Sequence, residues 1–244
     1  MPPLRHLEAL AGTIEGWLSE PEGRLLYELA RNCTGRGVIV EIGSWKGRST
    51  IALAIGLRDG GGTGVVYAID PHTAEPDRPT AGPPVTVDDF NRNIRRAGIA
   101  SKVELLLMTS HAARPQFRDG SVDVLFVDGS HQYEDVLQDI RDWQNSMRPG
   151  SIVAFNDPHY PGVYRALREQ VLKRGPFRQP RLIDNTLFLD FQPTRKWGLG
   201  DEIKLSRAIA GVGLRFQAMY IRPRMPMILV RIGRQLIYGL VGGR

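Results

Sequence analysis

The sequence predicts an α/β fold in which helices cover both faces of a doubly wound, mostly parallel sheet. Short apolar, β-branched segments alternate with amphipathic segments along most of the chain, an order typical of parallel strands joined by crossover helices. Turns that contain glycine or acidic residues follow several of the apolar segments. The 244 residues suffice for one sizeable core and are few for two.

The first half of the chain supplies the first predicted elements. Residues 7–32 have apolar residues at helical spacing and predict two helices broken at Glu-Pro-Glu-Gly, residues 20–23. The segments that follow predict a buried strand at 37–43, a helix at 49–57, a strand at 65–70 and a helix at 88–97. Residues 71–86 are rich in Pro, Gly and Thr and predict a loop.

The second half continues the alternation. Strands are predicted at 103–108, 122–128 and 152–155, late strands within 182–191, and helices at 133–147 and 164–174. The alternation of strands and helices predicts parallel strands joined by crossover connections. We expect a Rossmann-like sheet of seven strands. Residues 1–192 are predicted to form one domain, and residues 193–244 a basic, partly amphipathic extension.

The charge of the chain is unevenly placed. Residues 1–190 hold 22 Lys and Arg against 24 Asp and Glu, whereas residues 191–244 hold 10 against 2. The net charge of +6 therefore belongs to the extension, and the main domain lacks the basic character that a nucleic-acid partner requires. The single cysteine, Cys33, suits a reducing cytoplasm. We expect no secretory signal at the first residues, and apolar runs stay below the roughly 20 residues of a membrane span.

The turn after the first predicted strand carries the strongest ligand signal. It lies at the carboxyl end of a strand, where sheets of this type bind ligands. Gly43 and Gly47 lack a Cβ, so a ligand can approach the backbone, and Ser49 is placed to cap the next helix. A nicotinamide-binding turn would have glycine where this chain has Glu41. A carboxylate there favours a cationic nucleoside such as S-adenosylmethionine, and Asp70 at the next strand end suits ribose hydroxyls; the alternative is a turn without a ligand.

Polar side chains also follow the fourth and fifth predicted strands. Asp128, Asn156 and Asp157 offer hard oxygen donors of the kind Mg²⁺ prefers. His131, three residues past Asp128, titrates near neutral pH as an unperturbed side chain and suits a general base. The alternative is that the two acids cap the following segments and that the histidine is a surface residue.

Three motifs now combine: residues 40–50 (VEIGSWKGRST), 68–72 (AIDPH) and 127–133 (VDGSHQY), followed by Pro-Gly at 149–150 and Asn-Asp at 156–157. Together they resemble the class I S-adenosylmethionine-dependent methyltransferases over residues 20–175. The most similar subset is that of the small metal-dependent O-methyltransferases, including the sugar-modifying macrocin-type and cephalosporin-hydroxylase-like enzymes. One departure is Asn156, where macrocin-type enzymes usually have an acidic residue.

The resemblance implies a role for each strand-end residue. Cofactor contacts are implied for Glu41, Gly43, Ser44, Gly47, Ser49, Asp70, Ser110 and Asp128. Mg²⁺ would be held by Asp128, Asn156 and Asp157, and His131 would act as general base together with Asp128 in methyl transfer to a hydroxyl. Three further residues are candidate acceptor contacts, with structural roles as the alternative: His72, His159 and Tyr160.

The acceptor is predicted from the polar character of the surrounding loops, which favours a saccharide. We expect a sugar O-methyltransferase of a glycoside or polysaccharide pathway, for example one acting on a methylmannoside precursor, with residues 71–90 as a lid. The alternatives are a natural-product acceptor that is not a sugar, a nicotinamide-dependent oxidoreductase, and a non-catalytic nucleoside-binding or membrane-recruitment protein.

The basic extension mixes apolar residues with regularly spaced arginines over residues 201–244. Three interpretations remain open at this point. The segment lies on an anionic membrane surface, forms a homodimer interface, or is a solvated cationic helix of the same chain. Pro223 and Pro226 argue against one uninterrupted helix.

Overall fold

The computed structural model describes residues 13–33, 37–73 and 86–221 of the chain. Seven strands form a single sheet: β1 Val38–Ile42, β2 Val66–Ile69, β3 Val103–Leu106, β4 Val122–Val127, β5 Met147–Asn156, β6 Phe177–Ile183 and β7 Thr186–Phe191. Their order is β3-β2-β1-β4-β5-β7-β6. The first five strands pair in parallel, and β7 runs antiparallel to both β5 and β6. The predicted mostly parallel, seven-stranded sheet is confirmed.

Seven α-helices accompany the sheet in the described part of the chain: α1 Glu20–Arg31, α2 Arg48–Asp59, α3 Thr86–Arg96, α4 Ser110–Ala113, α5 Tyr133–Trp143, α6 Pro161–Gln170 and α7 Leu199–Phe216. Short 3₁₀ helices lie at Ala100–Lys102, Arg114–Gln116 and Gln144–Ser146, and a π-helical turn at Gln217–Ile221 follows α7. Side chains of α1, α2 and α3 pack into one apolar cluster, and those of α4, α5, α6 and α7 pack into another.

The two clusters lie on opposite faces of the sheet because neighbouring residues of a strand point to opposite faces. In β1, Val40 and Ile42 belong to one cluster and Ile39 to the other. In β4, Leu125 alternates in the same way with Phe126. Strands buried on both faces need the continuous apolar character that the sequence showed for these segments.

The carboxyl ends of β1, β2 and β4 stay hydrogen-bonded one residue beyond the strands. The amide of Gly43 donates to Ile69 O at 2.9 Å, and the amide of Asp128 donates to Ile42 O at 2.8 Å. These bonds fix the first residues of the adjoining turns relative to the sheet. The strand-end residues therefore meet at one edge, as expected for parallel strands.

The predicted helix break at residues 20–23 is wrong, because these residues begin a helix. Ser19 is the N-cap of α1 and forms a capping box with Glu22, while Pro21 lies in the first turn, where a missing N–H costs nothing. Residues 13–19 are not helical, so the helix predicted to precede the break is absent from this described part. The rest of that helix, residues 7–12, lies outside the described residues.

The described part of the basic extension packs on the domain. Leu205, Ala208 and Val212 of α7 are buried in the second apolar cluster, and Phe216 stacks on Tyr164 of α6 with ring centroids 4.9 Å apart. Residues 222–244 lie outside the described residues, and contact with a membrane surface or a second subunit stays a prediction. Among the described helices, none has the length and apolar character needed to cross a membrane.

Candidate functional site

Two adjoining hollows lie at the carboxyl edge of the sheet. The wide cleft has a volume of about 440 Å³ and is lined by the ends of β1, β2 and β4 together with α4 and α5. The small pocket, about 70 Å³, lies toward the end of β5 and the residues before α1. Four residues line both hollows: Gly43, Trp45, Asp128 and His131. A molecule in the wide cleft therefore meets a molecule in the small pocket at these residues.

Gly43 is required by packing at this junction. Its φ is 84°, a left-handed conformation that side chains disfavour. A Cβ at this position would lie 2.1 Å from the carbonyl oxygen of Asp128. The sequence-based reason for this glycine, close approach of a ligand, is therefore incomplete, because the end of β4 already occupies the space.

The start of α2 differs from the prediction. Its N-cap is Gly47, with a φ of 87° and no capping side chain, and a Cβ there would lie 3.1 Å from the Phe90 ring. Ser49 lies one residue inside the helix, so the predicted cap is wrong. Its hydroxyl instead lies near the carboxyl group of Glu41 and lowers the pKa of that group, and the residue lines the small pocket.

Asp70 connects the turn after β1 with its own turn after β2 at the wide cleft. Its Oδ2 accepts the backbone N–H groups of Ser44 and Trp45, both at 2.9 Å, and its Oδ1 accepts the N–H of His72 at 2.7 Å. Each carboxylate oxygen has two acceptor sites, so capacity remains for a ligand hydroxyl. Ser44 is itself buried and lines the small pocket.

Glu41 lies behind the turn. Its side chain is fully buried, Oε2 accepts the Thr50 hydroxyl, and Oε1 has no hydrogen-bond partner within the described residues. Burial raises the pKa of the Glu41 carboxyl to about 7, opposed by the hydroxyl groups of Ser49 and Thr50. Glu41 is not among the described residues that line either hollow. Its influence on a bound ligand would be electrostatic.

The far side of the wide cleft carries a second polar group. Ser110 begins α4 and donates its hydroxyl to the buried carboxyl of Asp139 on α5. Burial raises the pKa of Asp139 to about 6, and the hydrogen bond from Ser110 lowers it. His72 also lines this cleft, with Nδ1 2.9 Å from Thr86 Oγ1. The structure thus places His72 on the side of the wide cleft, away from the small pocket.

Two carboxyl groups, those of Asp128 and Asp157, lie close together at the junction of the two hollows. Burial, followed by the neighbouring charge of Asp157, raises the pKa of Asp128 well above its usual range. Asn156 Nδ2 lies 2.9 Å from Asp128 Oδ1, and His131 Nε2 lies 3.6 Å from Asp157 Oδ2. The structure therefore brings together all four residues that the sequence assigned to metal binding and proton transfer.

The side-chain oxygens at the junction belong to the donor types that bind divalent cations. Among residues 13–33, 37–73 and 86–221, no group of three or more His, Cys, Asp and Glu side chains forms a metal site. A cation at the junction would therefore need, besides the carboxylates of Asp128 and Asp157, the amide oxygen of Asn156, which lies against Thr186 in this structure and would have to turn toward Asp128. Such hard oxygen donors, completed by water, fit Mg²⁺.

Two aromatic neighbours stand behind His131. The Tyr160 ring stacks on the imidazole with centroids 4.4 Å apart, and the His159 ring lies 5.3 Å from Tyr160. His159 is buried, and neither His159 nor Tyr160 is among the described residues lining the hollows. These contacts support an orienting role toward His131 more directly than the predicted contact with an acceptor.

The walls of the small pocket contain residues that the sequence did not single out. Trp17 is 61% exposed, and its ring centroid lies 6.0 Å from that of Trp45. Arg48 donates to the backbone oxygens of Ile14 and Gly16. Tertiary packing brings residues 14–18 against the glycine turn, so no local pattern signalled Trp17 or Arg48. Asp139 was missed for the same reason, since its helical spacing marks only a buried face.

The strand order, the glycine turn after β1 and the acidic ends of β2 and β4 define a Rossmann-like methyltransferase fold. Residues 40–158 match a family described as a methyltransferase domain. This stretch includes the turn after β1 and the junction, so the match to a methyltransferase domain covers the residues of the candidate site. The resemblance drawn from the sequence motifs is confirmed.

Solved structures share this fold at low sequence identity. The O-methyltransferase NovP is 17% identical with a TM-score of 0.64, over 79% of this chain and 98% of that chain. TomG from Streptomyces achromogenes, an O-methyltransferase involved in tomaymycin synthesis and solved in complex with SAM, is 22% identical with a TM-score of 0.52, over 78% and 90%. A curated relative, the uncharacterized protein y4gI of Sinorhizobium fredii, is 43% identical over 53 residues. The match covers 22% of this chain and 6% of the length of that relative.

Proposed function

We propose that the chain binds S-adenosylmethionine in the wide cleft and transfers the methyl group to a hydroxyl oxygen of a small molecule in the small pocket. This proposal rests mainly on the boundary that the two hollows share at Gly43, Trp45, Asp128 and His131. In-line transfer needs the donor carbon and acceptor oxygen in contact, and a site that holds both supplies most of the rate enhancement through positioning.

The wide cleft has the groups that a nucleoside with a cationic tail would use. The remaining acceptor capacity of Asp70 suits the ribose hydroxyls. Ser110 and Asp139 suit the polar edge of the adenine at the other end of the cleft. The positive sulfonium would favour the ionised form of the carboxyl groups at the junction, and its charge is lost from the cofactor as the methyl group leaves.

The residues that line the small pocket suit a sugar or glycoside as the methyl acceptor. It combines polar side chains, Arg48, Asp157 and Asn156, with the exposed face of Trp17. Sugar rings present hydroxyls at the edge and C–H groups on the face, and an amphipathic indole packs well on such a face. Because TomG acts in natural-product synthesis, a non-sugar natural product is the second acceptor class to test.

The acceptor hydroxyl must lose its proton during transfer, and we assign its removal to His131, which lines both hollows. Tyr160 and Asp157 contact the imidazole from two sides and restrict its orientation. Mg²⁺, held by Asp128, Asn156 and Asp157, would lower the pKa of the acceptor hydroxyl and stabilise its oxyanion.

Calorimetry with S-adenosylhomocysteine and with NAD tests the cofactor class. We expect binding of the former and none of the latter; the reverse result would favour an oxidoreductase. Methyl transfer is then assayed on a panel of glycosides and phenols, with and without a chelator. Transfer to phenols alone would replace the sugar assignment, and unchanged rates with the chelator would exclude the role of Mg²⁺.

His131→Ala tests the proton-transfer step. We expect kcat to fall by roughly 10²–10⁴-fold, the usual contribution of a general base, while the Kd for S-adenosylhomocysteine changes little. Gln132→Ala, an exposed neighbour on the same turn, is the matched control. Equal kcat values for the His131 variant and the control would remove His131 from the mechanism.

A further inference from the structure

A buried hydrogen-bond chain leads from the first turn of α1 to the junction. Glu22 and Thr186 are both buried, and Thr186 Oγ1 lies 2.8 Å from Glu22 Oε1 and 2.8 Å from Asn156 Oδ1. Thr186 is the register partner of Asn156 in the antiparallel pair β5–β7. The strand that inserts between β5 and β6 therefore places a hydroxyl directly against the amide of Asn156.

The single hydrogen of the Thr186 hydroxyl limits which hydrogen bonds Thr186 can donate. A threonine hydroxyl has one hydrogen, so Thr186 donates either to Glu22 or to the amide oxygen of Asn156, and not to both at once. Glu22 already accepts backbone donors at both oxygens: the N–H of Ser19 at 2.8 Å and the N–H of Asn185 at 2.8 Å. A carboxylate held in this way is a charged acceptor, and such acceptors form the stronger hydrogen bonds.

The orientation of the Asn156 amide follows from where that hydrogen goes. If Thr186 donates to Glu22, its oxygen is left as an acceptor, and Asn156 satisfies it by presenting Nδ2. Oxygen and nitrogen of the amide have nearly the same shape, so the exchange needs only a rotation of the amide. In the structure the amide has the reverse orientation, with Oδ1 against Thr186 and Nδ2 2.9 Å from Asp128 Oδ1. After the rotation Oδ1 faces Asp128, and two oxygens in such contact are stable only with a cation or a shared proton between them.

We propose that Glu22 and Thr186 are positioning residues that turn the amide oxygen of Asn156 toward Asp128 and Asp157, and so complete a divalent-cation site. The inference rests on the metal part of the proposed function and explains how an asparagine serves where related enzymes usually have an acid. The hydroxyl hydrogen goes to Glu22, Nδ2 of Asn156 donates to Thr186, and Oδ1 joins the two carboxylates as the third oxygen donor.

The test measures Mn²⁺ binding by electron paramagnetic resonance in the presence of S-adenosylhomocysteine. Thr186→Val keeps the shape and removes the hydroxyl, and we expect the Kd for Mn²⁺ to rise by roughly 10- to 100-fold, as for other residues that orient metal ligands. Thr186→Ser restores the hydroxyl and is expected to bind within about threefold of the wild type. Thr63→Val, at an exposed threonine, is the matched control.

Two further variants separate orientation from loss of structure. Glu22→Gln offers an N–H group to Thr186 and is expected to weaken Mn²⁺ binding in the same direction, with Glu20→Gln in the same turn as its control. In an Asn156→Asp background there is no N–H to misplace, so Thr186→Val should raise the Kd by less than threefold. A structural defect would raise it equally in both backgrounds and would overturn the proposal.

The proposal is also overturned if Thr186→Val binds Mn²⁺ as the wild type does, or if the wild type binds no Mn²⁺. Binding of S-adenosylhomocysteine, followed by calorimetry in the same samples, is independent of these outcomes. Its retention would leave the proposed methyltransferase function standing while the positioning role fails.

Discussion

The wide cleft and the junction beside it differ in how the charge of their acidic side chains is compensated. In the wide cleft, Asp70 accepts three backbone N–H groups, which disperse its charge and fix two turns. At the junction, burial and the neighbouring charge of Asp157 raise the pKa of Asp128. Ionisation of Asp128 is therefore favoured when a positive charge is bound nearby. The first arrangement makes a rigid binding surface, and the second is poised for a cationic cofactor, a metal ion or a proton.

This difference predicts that substitutions at the junction change the rate of transfer, whereas substitutions in the wide cleft change affinity. The largest effect is expected for Asp128→Asn, which keeps the shape and removes the charge. We expect kcat to fall by at least ~10³-fold, about 4 kcal/mol of transition-state stabilisation. The Kd for S-adenosylhomocysteine, measured by calorimetry, should stay within about threefold of the wild type.

Asp119→Asn is the matched control for this variant, since Asp119 is an exposed acid that is not among the residues lining either hollow. Its kcat should equal that of the wild type. If Asp128→Asn instead binds the cofactor poorly and transfers at the normal rate when saturated, the division between the two regions is wrong.

Glu41→Gln sharpens the comparison, because Glu41 lies behind both regions. The folded-state pKa of about 7 exceeds the ordinary value of a glutamic acid, so folding favours the protonated form. Wild-type stability should therefore be greatest at low pH and fall as pH rises from about 4.5 to 7, by up to about 3 kcal/mol. Glutamine cannot ionise, so the variant should lose this decline.

Urea unfolding at pH 5 and pH 8 measures the effect, with Glu104→Gln, an exposed glutamate on β3, as the control. The control should keep the wild-type decline between the two pH values. Parallel pH profiles for the wild type and Glu41→Gln would show that Glu41 is ionised in the fold at little cost.

Much of the fold and of the junction could be predicted because both depend on local signals. Apolar runs marked the strands β1 to β4 and the second half of β5, and Asp70, Asp128 and Asn156 follow or end those runs. Parallel strands share one edge for their carboxyl ends, so sequence position alone predicts that these side chains meet. The helix boundaries differ by a few residues because caps and first turns depend on individual contacts.

Other features depend on contacts between distant segments and left no local signal. Gly43 is required by the Asp128 carbonyl, although the sequence suggests only a ligand-binding turn. Trp17 and Arg48 line the small pocket because residues 14–18 fold back over the turn. The antiparallel insertion of β7 between β5 and β6, which sets Thr186 against Asn156, is a matter of topology that hydrophobic pattern does not encode.

The smallest expected effect tests the rigid side of the comparison. In Asp70→Asn, the side-chain amide oxygen can still accept backbone N–H groups, but the amide nitrogen cannot. Because the nitrogen then faces a backbone N–H, at least one of the three hydrogen bonds to residue 70 is lost. A hydrogen bond to a charged group contributes about 1.5–3 kcal/mol, and partial compensation by water reduces the loss. We therefore expect the Kd for S-adenosylhomocysteine to rise by roughly tenfold and kcat at saturating cofactor to stay within about twofold. Asp88→Asn, an exposed acid in the first turn of α3, is the control, and a fall in saturated kcat at position 70 would show that the turn also positions the reacting groups.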